Sequence, residues 1–178
     1  MTTNLVLTVI AEDKPGLVEA LASIISKHSG NWVDSAMSRL GGEFAGILKV
    51  TVPDEQAEDL EAALAALRDE GIAVTLREDR PARHLDGTHA QLELIGQDHT
   101  GIVAKISGVL ASLSVNVEDL RTSVFTGSMS GEAMFKARAE IVLPEGLAFD
   151  KLSDALEAIA GDVMVDIELR EPGASGQG

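Results

Sequence analysis

Short apolar runs alternate with stretches in which apolar residues return every third or fourth position. Residues 5–10 are rich in β-branched side chains and bounded by turn chemistry, which predicts a strand, and their unbroken apolarity predicts burial on both faces. From Pro15 to about His28, Leu17, Val18, Leu21, Ile24 and Ile25 trace the stripe of an amphipathic helix, with Gly30 near its C′ position. A hairpin follows: residues 32–40 alternate loosely, Gly41-Gly42 makes a tight turn, and residues 44–52 form the partner strand, stopped by Pro53. Asp54 is placed to cap a second helix carrying Leu60, Leu64 and Leu67, and Gly71 closes that helix before a strand over 72–76. The predicted order is βαββαβ.

The second half repeats it: a strand over 90–95, a helix from Gly101 to about Ser114, strands near 117–125 and 134–143, a helix carrying Leu152, Leu156 and Ile159 that ends at Gly161, and a strand over 163–169 in which Val163, Val165 and Ile167 alternate. Gly16 to Gly101 and Asn31 to Asn116 are both offsets of 85, whereas Leu64 to Leu156 is 92, and most of the insertion falls at residues 126–131, read as a longer and more mobile hairpin tip. The chain is therefore a tandem repeat, with domains at 1–78 and 89–170, an aperiodic linker at 79–88 and a disordered tail at 171–178. The fold class is α+β: two ferredoxin-like βαββαβ units, each an antiparallel sheet with two helices on one face. The other sheet face and the sheet edges are left free to pair with a neighbour.

Apolar residues make up 45% of the chain but aromatics only 3%, so each core is built from Ala, Val, Leu and Ile. The formal charge of −15 divides evenly, −7 over residues 1–88 and −8 over 89–178, and no basic patch interrupts it. Neutralising phosphates takes clustered Lys and Arg, so the reading is of a protein that acts through another protein rather than on nucleic acid. The chain has no Cys, which removes disulfides, thiolate metal sites and a cysteine nucleophile and makes the cytosol the expected compartment. No leader or membrane span is read in it.

The informative residues are Asp13-Lys14-Pro15-Gly16-Leu17 and Asp98-His99-Thr100-Gly101-Ile102, where a strand gives way to a helix beside a Gly. Free N–H groups at a helix start hold a ligand carboxylate, while a nearby acidic group takes its ammonium. The structural alternative is that each Asp simply caps its helix. Trp32, the single Trp, either walls a ligand pocket or sits as a partly buried strand residue. His28, His84, His89 and His99 match no zinc spacing, so no metal or cofactor is expected. Residues 127–131 superficially resemble a nucleophile elbow, but the central residue is Met129 and the segment is a hairpin tip. Glu55, Glu58, Asp59 and Glu61 read as a solvated helix face or a docking surface for a basic partner.

A strand ending in Asp13-Lys14-Pro15-Gly16-Leu17, a helix, and then Gly30-Asn31-Trp32 resembles the ACT domain, and residues 98–103 with Asn116-Val117 resemble it again. Residues 30–35 followed by 39–44 are most similar to the glycine cleavage system transcriptional repressor family. The resemblance implies a non-enzymatic regulator that binds a small amino acid such as glycine at an interface between ACT units. It also implies control of a transcription activator or metabolic enzyme by protein contact, as a homodimer. The implied ligand-binding residues are Asp13, Lys14, Pro15, Gly16, Leu17, Asn31 and Trp32, and in the second unit Asp98, His99, Thr100, Gly101, Ile102, Asn116 and Val117. Thr100 departs from the family's Pro and His99 replaces Lys14, which implies an emptied or retuned second site. Two other readings stand beside this one: a ligand-free ACT module that only dimerises or docks, and an enzyme on the same scaffold, for which no nucleophile–base pair, phosphate loop or metal set is found.

Overall fold

Strand β1 (Thr2–Glu12) buries every second side chain: Leu5, Leu7, Val9 and Ala11 are covered, whereas Ile10 is 50% exposed. This overturns the expectation of burial on both faces, and the reason is the number of layers. The buried residues of β1 join those of α1 (Leu17–Lys27), β3 (Glu43–Pro53) and α2 (Ala57–Ala66) in one core on the helix side of the sheet, and no second layer of the unit covers the opposite face. With β2 (Asn31–Leu40) and β4 (Ile72–Glu78), the sheet runs β2-β3-β1-β4, antiparallel throughout. The computed structural model describes residues 1–80 and 86–171; residues 81–85 of the predicted linker and 172–178 of the predicted tail lie outside the described residues.

The second unit repeats the architecture with β5 (Gly87–Gln97), α3 (Ile102–Ser112), β6 (Asn116–Thr126), β7 (Ala133–Pro144), α4 (Phe149–Val163) and β8 (Val165–Arg170) in the order β6-β7-β5-β8. Its core holds Leu92, Leu94, Ile106, Leu110, Ile141, Leu152 and Leu156. The division into compact units falls at Met1–Arg83 and His84–Gly178. The open faces of the two sheets differ in kind. In the first unit the central rows on that face are Ala36, Ile47, Thr8 and Thr75, then Ser38, Ala45, Ile10 and Ala73; in the second, Arg121, Arg138, Glu93 and Glu168 stand in one row.

Several element ends differ from expectation for identifiable reasons. Helix α1 is closed by Ser29 in the left-handed region (φ 57), with Ser29 N–H donating to the Ser26 carbonyl at 3.0 Å and Gly30 N–H to the Ile25 carbonyl at 2.9 Å. This is a Schellman closure in which Ser29, not Gly30, takes the C′ position. Gly30 is needed for space: a Cβ there would lie 2.9 Å from Ile25 Cγ2. Asp54 does not cap α2; it opens a short 3₁₀ turn (Asp54–Gln56) and accepts a hydrogen bond from Thr3 Oγ1 at 2.8 Å. Gly161 does not end α4, because Val163 is fully buried and anchors a further stretch of helix, after which Met164 takes the left-handed conformation (φ 50) and β8 begins only at Val165. Gly41 and Gly42, with φ 60 and 84, make the two-residue turn of the first hairpin.

Candidate functional site

Each unit turns from its first strand into its first helix through a left-handed glycine: Gly16 has φ 92 and ψ 0, Gly101 φ 93 and ψ 2. No side chain caps either helix, so neither Asp13 nor Asp98 fills the structural role allowed for it. The first helical bonds run from Ala20 N–H to the Gly16 carbonyl (2.9 Å) and from Lys105 N–H to the Gly101 carbonyl (3.1 Å). The N–H groups of Leu17, Val18 and Glu19, and of Ile102, Val103 and Ala104, precede that ladder and carry the positive end of the helix dipole. Such a start favours an anion.

The loops are held in place by a common device. Asp13 N–H donates to the Gly42 carbonyl at 2.9 Å and Asp98 N–H to the Ala133 carbonyl at 2.8 Å, tying each loop to the neighbouring hairpin. Lys14 Nζ donates to the Glu70 carbonyl at 3.2 Å, and His99 Nε2–H to the Val163 carbonyl at 2.5 Å. Both side chains thus reach the C-terminal end of the second helical segment of their own unit, where a donor is favoured. Pro15 and Thr100 occupy the exposed turn between, and the Thr100 carbonyl lies 3.1 Å from His99 Nδ1.

Beside the first loop lies an open groove of about 470 Å³, lined by Asp13, Lys14, Gly16, Leu17, Val18, Glu19, Ala22 and Phe44. Four of these were named by the sequence. Val18, Glu19, Ala22 and Phe44 were not, although the first three follow from helix numbering once Leu17 is its first residue, and Phe44 from the register that pairs it with Ala11. Arg39, across the strand from Phe44, also reaches the site: its guanidinium lies 3.5 Å from the Asp13 carboxylate, with both groups solvent-accessible. An exposed pair of this kind contributes about 0–1 kcal/mol and a competing ligand charge displaces it easily.

The remaining predicted residues stand elsewhere. Asn31 pairs with Thr51 at the start of β2, and the whole length of α1, roughly 16 Å, separates that end from Gly16. Trp32, half-buried beside it, packs on the core. Asn116 and Val117, paired with Val142 and Ile141, lie at the corresponding end of the second unit. One unit therefore brings together Asp13, Lys14, Gly16 and Leu17, or Asp98, His99, Gly101 and Ile102, and holds its Asn at the far end of the helix.

The Glu93 carboxyl, on the open face of the second sheet, is held below its ordinary value by a hydrogen bond from Arg138 Nε at 2.7 Å, reinforced by the charges of Arg138, Arg170 and Lys136. Among the described residues no group of three His, Cys, Asp or Glu is placed to hold a metal ion, and no helix is long and apolar enough to cross a membrane.

A family model described as the ACT domain matches the chain twice, over residues 3–75 and 88–168. The crystal structure of an unknown protein from Galdieria sulphuraria superposes with a TM-score of 0.86 at 26% identity, covering 96% of this chain and 99% of that one. A candidate glycine cleavage system transcriptional repressor superposes with a TM-score of 0.70 at 19% identity, covering 96% of this chain and 97% of the other. No curated protein matches the chain by sequence.

Proposed function

The chain belongs to the ACT-domain family, in two tandem copies, and from that premise we propose that it is a non-enzymatic sensor of a small amino acid that regulates another protein by contact. The observation that carries the reading is the pair of uncapped helix starts at Gly16 and Gly101, one of them opening on a groove that also holds the Asp13 and Glu19 carboxylates. A zwitterion meets both needs: its carboxylate takes the N–H groups and its ammonium an acidic side chain. The groove's lining includes no nucleophile paired with a base, and Lys14 is already engaged by the Glu70 carbonyl. The structural neighbour named for glycine cleavage supports glycine as the effector and transcriptional control of glycine use as the specific role. The charge of −15 supports a basic protein partner in the cytosol rather than direct contact with nucleic acid. In this reading Asn31 completes the site of another ACT unit, supplied by a second chain in a homodimer.

Isothermal titration of the whole chain with glycine, serine and the branched-chain amino acids tests the reading. Saturable heat that weakens about ten-fold or more in Asp13→Ala and Asn31→Ala is the expected result, since each removes a charged or polar ligand contact worth about 1.5–3 kcal/mol. The ion pair between Arg39 and Asp13 favours one other reading, a ligand-free module that docks or dimerises through its sheet edges. That reading predicts no heat with any amino acid and partner binding indifferent to both substitutions.

A further inference from the structure

The two copies fill the space between first helix and sheet differently. In the first, Leu48 stands opposite Leu7 on the helix side of the sheet, and Trp32 and Met37 reach inward from the edge strand and pack on the core. At the same register in the second copy stand Ala139, opposite Leu92, with Val117 and Thr122 on the edge strand. Three large side chains are replaced by three small ones. Leu120 for Ser35, Ala137 for Gly46, Leu94 for Val9 and Ile141 for Val50 restore only part of the volume.

The consequence is a crevice of about 50 Å³ between α3 and β6, walled by Leu92, Leu94, Ile106, Leu110 and Ala139 and rimmed by Val103, Val117 and Leu120. Its one polar lining residue, Ser107, donates its hydroxyl to the Ala104 carbonyl at 3.2 Å, so the wall offers water nothing to bond. Val103, Val117 and Leu120 are 44%, 40% and 52% exposed, which leaves the mouth accessible. Val103 belongs to the first turn of α3, next to the Gly101 loop, so the crevice opens beside the place the proposed function assigns to a ligand's head group.

We propose that this crevice is a side-chain pocket, and that the second unit takes an amino acid with a branched aliphatic side chain where the first, plugged by Trp32, Leu48 and Met37, takes one with little or none. The first copy shows that this space accepts a large apolar group arriving from the edge strand; in the second copy the ligand supplies it. A few buried methyl and methylene groups discriminate by about ten-fold or more, enough to separate leucine from glycine at one site. The inference rests on the amino-acid-sensing reading, and the test separates the two.

The test is methyl and amide NMR of the whole chain titrated with L-leucine and, separately, with glycine. The expected result is that leucine shifts the methyl signals of Val103, Ile106 and Leu120 with an affinity about ten-fold or more above that of glycine, and that Thr122→Met and Ala139→Leu, each importing the first copy's residue, abolish these shifts. Leucine shifts confined to the Gly16 and Val18 signals, or unchanged by both filling substitutions in variants that keep a dispersed spectrum, overturn the pocket and leave sensing intact. If neither amino acid perturbs the Gly16 or Gly101 amides, sensing and the pocket fall together. Should both variants unfold, the wild-type pattern of methyl shifts still decides.

Discussion

His99 Nε2 lies 2.5 Å from the carbonyl of Val163, the last residue of α4. A loop that replaces the Lys of the first copy with His thereby keeps the same mechanical link, because either side chain supplies a donor to the unsatisfied end of the second helical segment. His99→Ala removes that donor and is expected to lower the stability of the second unit by about 1 kcal/mol. Urea unfolding followed by circular dichroism reads the loss, while the fluorescence of Trp32, which lies in the first unit, stays unmoved.

The closures of α1 and α3 use the same hydrogen bonds, yet Val115 stands where the first copy has Gly30. The difference is in the residue five positions earlier: Ile25 carries a Cγ2 that a Cβ on Gly30 would approach to 2.9 Å, whereas Leu110 has no branch at that carbon. Gly30→Ala alone is expected to destabilise by about 1–3 kcal/mol through overpacking. Adding Ile25→Leu should restore part of the loss, a coupling that a double-mutant cycle in urea measures directly.

Gly16 and Gly101 face open space, so an added Cβ meets nothing and only the backbone resists it. Gly16→Ala and Gly101→Ala are each expected to cost about 1–2 kcal/mol, the price of a left-handed L-residue. The variants should also weaken any ligand held at the adjoining helix starts. Thermal melts with and without glycine check both effects.

Glu93 and Arg138 set an acid-sensitive contribution on the open face of the second sheet. Because the folded Glu93 carboxyl is held below its ordinary value of 4.5, its stabilisation is fully present above that pH and is lost as pH falls through the folded value. Arg138→Met removes the cause, so the Glu93 titration should return to the ordinary range and the stability difference between wild type and variant should vanish in acid. Carboxyl NMR titration together with urea midpoints across that range checks the sign.

Much of the architecture is legible in the chain because the signals are redundant. The Gly41-Gly42 turn, the stripe of Leu17, Leu21 and Ile25, and the 85-residue offset each point to the same βαββαβ unit. What is not legible depends on layers and long-range partners. The run from Leu5 to Ile10 reads as doubly buried, since a sequence does not say whether Ile10 has anything above it. Gly161 reads as a helix end because the local rule favours Gly there, but the burial of Val163 outweighs it. The loop residues of the site follow from their own motif, whereas the ion pair of Arg39 with Asp13 comes from hairpin register, and the crevice beside α3 only from comparing the copies residue by residue.

The central claim is that the helix starts at Gly16 and Gly101 are open cradles for a small amino acid. Amide NMR of the whole chain during titration with glycine, serine and leucine tests it most directly. The account predicts saturable shifts at the amides of Leu17, Val18 and Glu19, or of Ile102, Val103 and Ala104, with at least one of these ligands. Amides at both helix starts that stay unmoved at saturating concentrations of all three would contradict it.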